Sequence, residues 1–152
     1  MTEVGKRWLI FGVVALAGLL IALVVVANNS DKDPRPFIQK TYDRSAELDE
    51  SDGGQAYVSP RSPADVADEI HDNARSVDRK AGEGAEFLQY RDDIVAVTPH
   101  EGGSKIYVDD YRTAHNRYSG HSTYGFIFLG GGGWSSTPPS GGFRGGGSGF
   151  GK

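Results

Sequence analysis

The stretch Glu86-Phe87-Leu88-Gln89-Tyr90-Arg91-Asp92-Asp93-Ile94-Val95-Ala96-Val97 decides the fold. Two β-rich runs, 86–90 and 94–97, are separated by only three polar residues, a connection that joins antiparallel neighbours and is far too short for a parallel crossover. Aspartate is favoured in such turns because its side chain bonds to nearby backbone. Asp92 and Asp93 therefore read as turn residues rather than as paired carboxylates for acid–base work. Beyond His100-Glu101-Gly102-Gly103, a further strand is predicted over Lys105–Asp109.

Upstream, Ala56-Tyr57-Val58 is a short strand, and Ser62-Pro63-Ala64-Asp65 opens a helix with a serine N-cap, proline in the first turn and an acid after it. Val66, Ala67, Ile70 and Ala74 form its apolar face, with Asp65, Asp68, Glu69 and Asp72 turned to water. Ala81–Gly84 is a loop. The order is β-α-β-β-β, which gives an α+β unit over residues 56–129 with a helix on one face of a small antiparallel sheet. Val66, Ile70, Leu88, Ile94, Val97, Ile106 and Val108 are its expected core. Asp110–Tyr118 reads as a second helix with Tyr111, Ala114 and Tyr118 on one side. Tyr124–Leu129 reads as the last core strand, and its alternative role is docking on a membrane or partner.

Toward the N-terminus the character changes. Residues 1–7 form a short leader, and Trp8–Ala27 is a run of 20 residues without a charged side chain. At about 1.5 Å per residue a helix of that length crosses the hydrocarbon core. Lys6, Arg7 and the interfacial Trp8 flank it. A signal peptide cut after Ala27 is the rival reading, but the run exceeds the usual apolar core of roughly 7–15 residues. Lys32, Arg35, Lys40 and Arg44 on the far side leave the positive-charge rule undecided. The short basic leader and the dominance of a first helix place the body outside the cytoplasm. Ala15, Gly18 and Ala22 make a small-residue stripe suited to a homodimer. Residues 28–54, rich in mixed charge and carrying Pro34 and Pro36, read as a flexible linker.

All 152 residues carry a net charge of −4 and no cysteine. Structural disulfides, thiol catalysis and thiolate zinc sites are thereby excluded. The mild acidity points away from nucleic acid as a partner. From Gly130 to Lys152, 11 of 23 residues are glycine. This Gly-rich tail is expected to be disordered, with Trp134, Phe143 and Phe150 as aromatic contacts for a partner.

The segments Tyr57-Val58-Ser59, Ser62-Pro63-x-x-Val66-Ala67, Phe87-Leu88-x-Tyr90-x-Asp92-Asp93-Ile94-Val95 and Ile106-Tyr107-Val108-Asp109 resemble a family of small anchored bacterial and archaeal proteins, the domain of unknown function numbered 4247. The resemblance covers 56–118, an N-terminal apolar segment and a glycine–tryptophan end. It implies an envelope-stress setting, carries over no catalytic or ligand residue, and implies an anchor that here must be the helix itself because the lipid-bearing cysteine of many members is missing.

His100, Asp109, Asp110, His115 and His121 are the candidate metal ligands, histidine and carboxylate being suitable donors. The spacing His115-x5-His121 matches no established ligand pattern, and exposed loop histidines are the plainer reading. No Gly-x-Ser-x-Gly elbow or phosphate-binding loop is present. The sequence thus predicts a single-pass, extracytoplasmic interaction module without cofactor or enzymatic activity, contacting the membrane and an envelope protein. The alternative is a small metal-dependent hydrolase built on the histidine–aspartate set.

Overall fold

The computed structural model describes residues 32–129 and 131–140. The predicted leader, membrane segment and dimer stripe, together with Phe143 and Phe150, lie outside the described residues. Among the described residues, no helix is long and apolar enough to cross a membrane.

The elements are α1 (Arg35–Thr41), β1 (Asp43–Arg44), a 3-10 turn (Ala46–Leu48), β2 (Gln55–Ser59), α2 (Pro63–Asn73), β3 (Asp78–Gly82), β4 (Ala85–Gln89), β5 (Asp93–His100), β6 (Gly103–Asp110), α3 (Tyr111–Ser119) and α4 (Gly125–Leu129). The strands form one antiparallel sheet in the order β1-β2-β6-β5-β4-β3. After β2, α2 carries the chain across the sheet to β3 at the opposite edge. Three hairpins then return it until β6 pairs with β2.

Local chemistry sets these elements. The Ser62 hydroxyl accepts from the Asp65 N–H, with proline in the first turn, as the sequence predicts. Glu83-Gly84 and Glu101-Gly102 have positive φ at both positions and close the β3–β4 and β5–β6 hairpins. Two-residue turns of that kind match the twist of the strands they join. At Gly103 the Ser59 carbonyl comes so close that a Cβ would lie 2.2 Å from its oxygen.

The α+β class is as expected, but the sheet is covered on both faces. On one side α1 and α2 bury Ile38, Tyr57, Val66, Ile70, Leu88, Val95, Val97, Ile106 and Val108. On the other, α3, α4 and Trp134 bury Phe87, Ile94, Ala96 and Tyr107. Burial on two faces explains why β5 is apolar almost continuously instead of alternating. All seven predicted core positions are buried. Ile70→Ala is expected to cost about 2–5 kcal/mol in a denaturant titration, because the site is fully enclosed.

Four expectations change. Residues 32–54 do not hang as a tether where they are described: Ile38 is fully buried, and the Tyr42 hydroxyl donates to Glu69 at 2.6 Å. Ala81–Gly84 is not wholly a loop, since β3 runs through Gly82. Tyr124–Leu129 holds a helix, not a strand. Trp134 is a core residue with 6% exposure, so the glycine-rich end is packed at least to that point.

Candidate functional site

The exposed large apolar side chains among the described residues are Val77, Phe126 and Leu129, the last two 58% and 70% exposed. Phe126 and Leu129 stand one helical turn apart on α4, so they form one outward pair. Ile127 and Phe128 point the other way, into the core. A strand over the same residues would have put Phe126 and Phe128 on one face.

The support under this pair is aromatic. Phe128 meets Phe87 and Trp134 edge to face, each at 5.4 Å between centroids, and stacks on Tyr118 at 5.7 Å. Such pairs contribute roughly 0.5–1.5 kcal/mol beyond their burial. Gly125 lets the helix begin tightly against α3, because a Cβ there would lie 2.9 Å from the Ser119 carbonyl oxygen. The Phe126 ring rests over Gly82, where a Cβ would sit 2.6 Å from its Cζ. The pair therefore adjoins the last residue of β3, the edge strand of the sheet.

Residues 131–135 strap this assembly down. The Trp134 indole N–H donates to Asp78 at 2.8 Å. The His115 ring donates from Nε2 to the Trp134 carbonyl at 2.9 Å, which assigns the proton to that nitrogen because a carbonyl only accepts. Tyr111 donates its hydroxyl to the Ser135 carbonyl at 2.9 Å, while accepting from Gln89.

The candidate metal ligands are not brought together, and no group of three or more histidines and carboxylates among the described residues is placed to hold an ion. His100 lies at the β5–β6 turn, opposite Gly103. Asp109 and Asp110 are at the other end of β6, where Asp110 caps α3 through the N–H groups of Arg112 and Thr113. His115 is in the core, and His121 stacks on Tyr124 at 4.8 Å. Asp93 is more than a turn residue, for it is buried and ion-paired with Arg35. Two open clefts of about 480 and 380 Å³ lie at opposite ends of the sheet, one beside His100, Glu101 and Ser104, the other beside Arg35, Asp92 and Asp110.

Asp109 is buried against Arg117, whose Nη1 lies 2.8 Å from its carboxylate, and Arg117 also pairs with Asp52. Burial pushes the Asp109 carboxyl above its ordinary value of 3.8, against the opposing pull of Arg117. An acid raised in this way binds more protons folded than unfolded between the two values. Its contribution to stability is then full below the unfolded value and lost as pH rises through the folded one. Asp109→Asn should flatten that part of the stability–pH curve, read as the urea midpoint from acid toward neutral pH. A curve parallel to the parent would contradict the assignment.

The sequence pattern of a family described as a domain of unknown function, DUF4247, matches residues 20–148. The chain belongs to this family. The match takes in every described element of the DUF4247 body and extends past it on both sides. No curated protein matches the chain, and no solved structure matches it.

The signal for the exposed pair was present in the sequence as an uncharged aromatic run, but only the helical geometry tells Phe126 and Leu129 from their buried neighbours. Trp134, which the sequence offers as a contact for a partner, instead contacts Phe128, Asp78 and His115 of the body itself.

Proposed function

We propose that this DUF4247 protein is a single-pass, membrane-anchored module whose body stands outside the cytoplasm and binds a protein partner in the envelope, without catalysing a reaction. The observation that supports a binding role is the exposed pair Phe126 and Leu129 on α4. Phenylalanine is among the aromatic side chains enriched at protein interfaces, and Leu129 extends the apolar patch beside it. The support here is rigid because α4 is clamped between α3 and the Trp134 strap. The anchor rests on Trp8–Ala27, whose length and apolarity suit a bilayer. The packed body begins at Pro34, only a few residues beyond that segment.

A photo-cross-linking residue in place of Leu129, in the full chain in its native membranes, is expected to give a discrete adduct. Phe126→Asp should abolish that adduct while costing on the order of 1 kcal/mol, since the ring is mostly exposed and its packing is confined to the contact over Gly82. No adduct at position 129, or an adduct indifferent to Phe126→Asp, would contradict the reading.

A further inference from the structure

We propose that the protein partner of the Phe126–Leu129 pair is a second copy of this chain, joined α4 to α4 about a two-fold axis. This deepens the preceding reading and rests on it.

Charge decides which faces of two identical bodies can meet. Over residues 32–117 there are 18 aspartates and glutamates against 12 lysines and arginines. Two such bodies carry like net charge and repel. Residues 118–140 hold no lysine, arginine, aspartate or glutamate, and the exposed Phe126 and Leu129 stand within that run. Two charges of the neighbouring strand β3 are turned to the strap. The Lys80 ammonium donates to the Gly132 carbonyl at 2.5 Å, and Asp78 accepts from the Trp134 indole. A partner that buried a charge against α4 would find no counter-charge there, and its desolvation would go uncompensated. A second copy brings an uncharged face of the same kind.

Such a contact is self-complementary: wherever one residue meets another across a two-fold axis, the reverse contact forms as well. Phe126 and Leu129 lie one helical turn apart on α4, so an axis between them sets Phe126 of each copy against Leu129 of the other. Beside α4, Gly131 and Gly132 are exposed, and a Cβ at either would meet nothing within 4 Å. That bare backbone leaves room for the facing helix to approach closely. Two side chains per copy bury far less than the roughly 800 Å² per partner of a stable free interface. Anchoring in one bilayer supplies the difference, because it holds the copies at a high effective concentration. Pairing therefore belongs to the anchored chain.

The test uses two full-length copies with different tags, co-expressed in one membrane. A photo-cross-linking residue at position 129 of one copy is expected to give an adduct carrying the other tag, whereas the same residue at the exposed Ser51 is not. Phe126→Lys in both copies, or Leu129→Glu in both, should lower recovery of the differently tagged copy at least about tenfold, since an anchor is lost at each of two symmetric contacts. Leu129 is 70% exposed, so Leu129→Glu is expected to keep the parent's melting temperature, and its loss of pairing is not a loss of fold. A Phe126→Lys copy co-expressed with a Leu129→Glu copy is expected to pair again, because one contact is then native and the other joins opposite charges. An adduct from position 129 with a different protein only overturns the second copy and leaves the preceding reading standing. No adduct from position 129 overturns both. Equal adducts from positions 129 and 51, or a mixed pair recovered no better than either variant alone, also overturn the proposal.

Discussion

Trp134→Ala is expected to destabilise the body by about 3–5 kcal/mol, the range for removing a large aromatic from a packed core. Its ring is 6% exposed and meets Phe128 edge to face, and its indole N–H is bound to Asp78. Two further groups depend on its position: His115 bonds to its carbonyl and Tyr111 to the carbonyl after it. Truncation before Gly130 should cost at least as much, because it also uncovers the α3–α4 face of the sheet. A domain of roughly 100 residues loses about 4–8 °C of melting temperature per kcal/mol, so thermal unfolding of residues 32–152 reads the effect directly. A glycine-rich end without a folding role would leave the melt unchanged, and that result would contradict the strap.

The second large effect is at the other end of the body. Ile38→Ala is expected to cost about 2–5 kcal/mol, because Ile38 is fully enclosed between α1 and the core under α2. The Arg35–Asp93 pair and the Tyr42–Glu69 hydrogen bond fix α1 in place around it. A linker that merely spans from membrane to body would tolerate the substitution. Urea unfolding at fixed pH distinguishes the two, and a midpoint equal to that of the parent would return residues 32–54 to the role of a tether.

These two positions show where the sequence was legible. The α2 start at Ser62-Pro63 was legible because capping is local, and the hairpins from Glu86 to Asp109 because short polar turns between β-rich runs admit one arrangement. Ile38 and Trp134 were hidden because each is a lone apolar residue among charges or glycines, and its burial depends on contacts distant in sequence. Strand β3 was hidden for a different reason. Asp78-Arg79-Lys80 is polar because it lies at the sheet edge, where charge discourages pairing with another chain, and only the Glu83-Gly84 turn marks it. At the candidate site, the aromatic run 124–129 was evident, but its phase was not. A five-residue helix is too short to declare a period, and its close packing against α3, where Gly125 approaches Ser119, is not visible in the sequence. The histidine–aspartate set illustrates the opposite error, in which suitable ligand types in one sequence region are dispersed by topology to both ends of a strand pair and the core.

The central claim is that the packed body is held at a membrane by Trp8–Ala27 and faces away from the cytoplasm. Ser51 is exposed beside the Gly53–Gly54 turn and suits a single cysteine in an otherwise cysteine-free chain. Intact cells carrying Ser51→Cys are treated with a membrane-impermeant maleimide, and their membranes are then washed with alkaline carbonate. The account predicts full labelling before lysis, with the labelled protein retained in the washed membranes and Met1 still at its N-terminus or removed alone. Labelling that requires lysis, or a mature chain that begins at Asn28 and leaves with the wash, would contradict it.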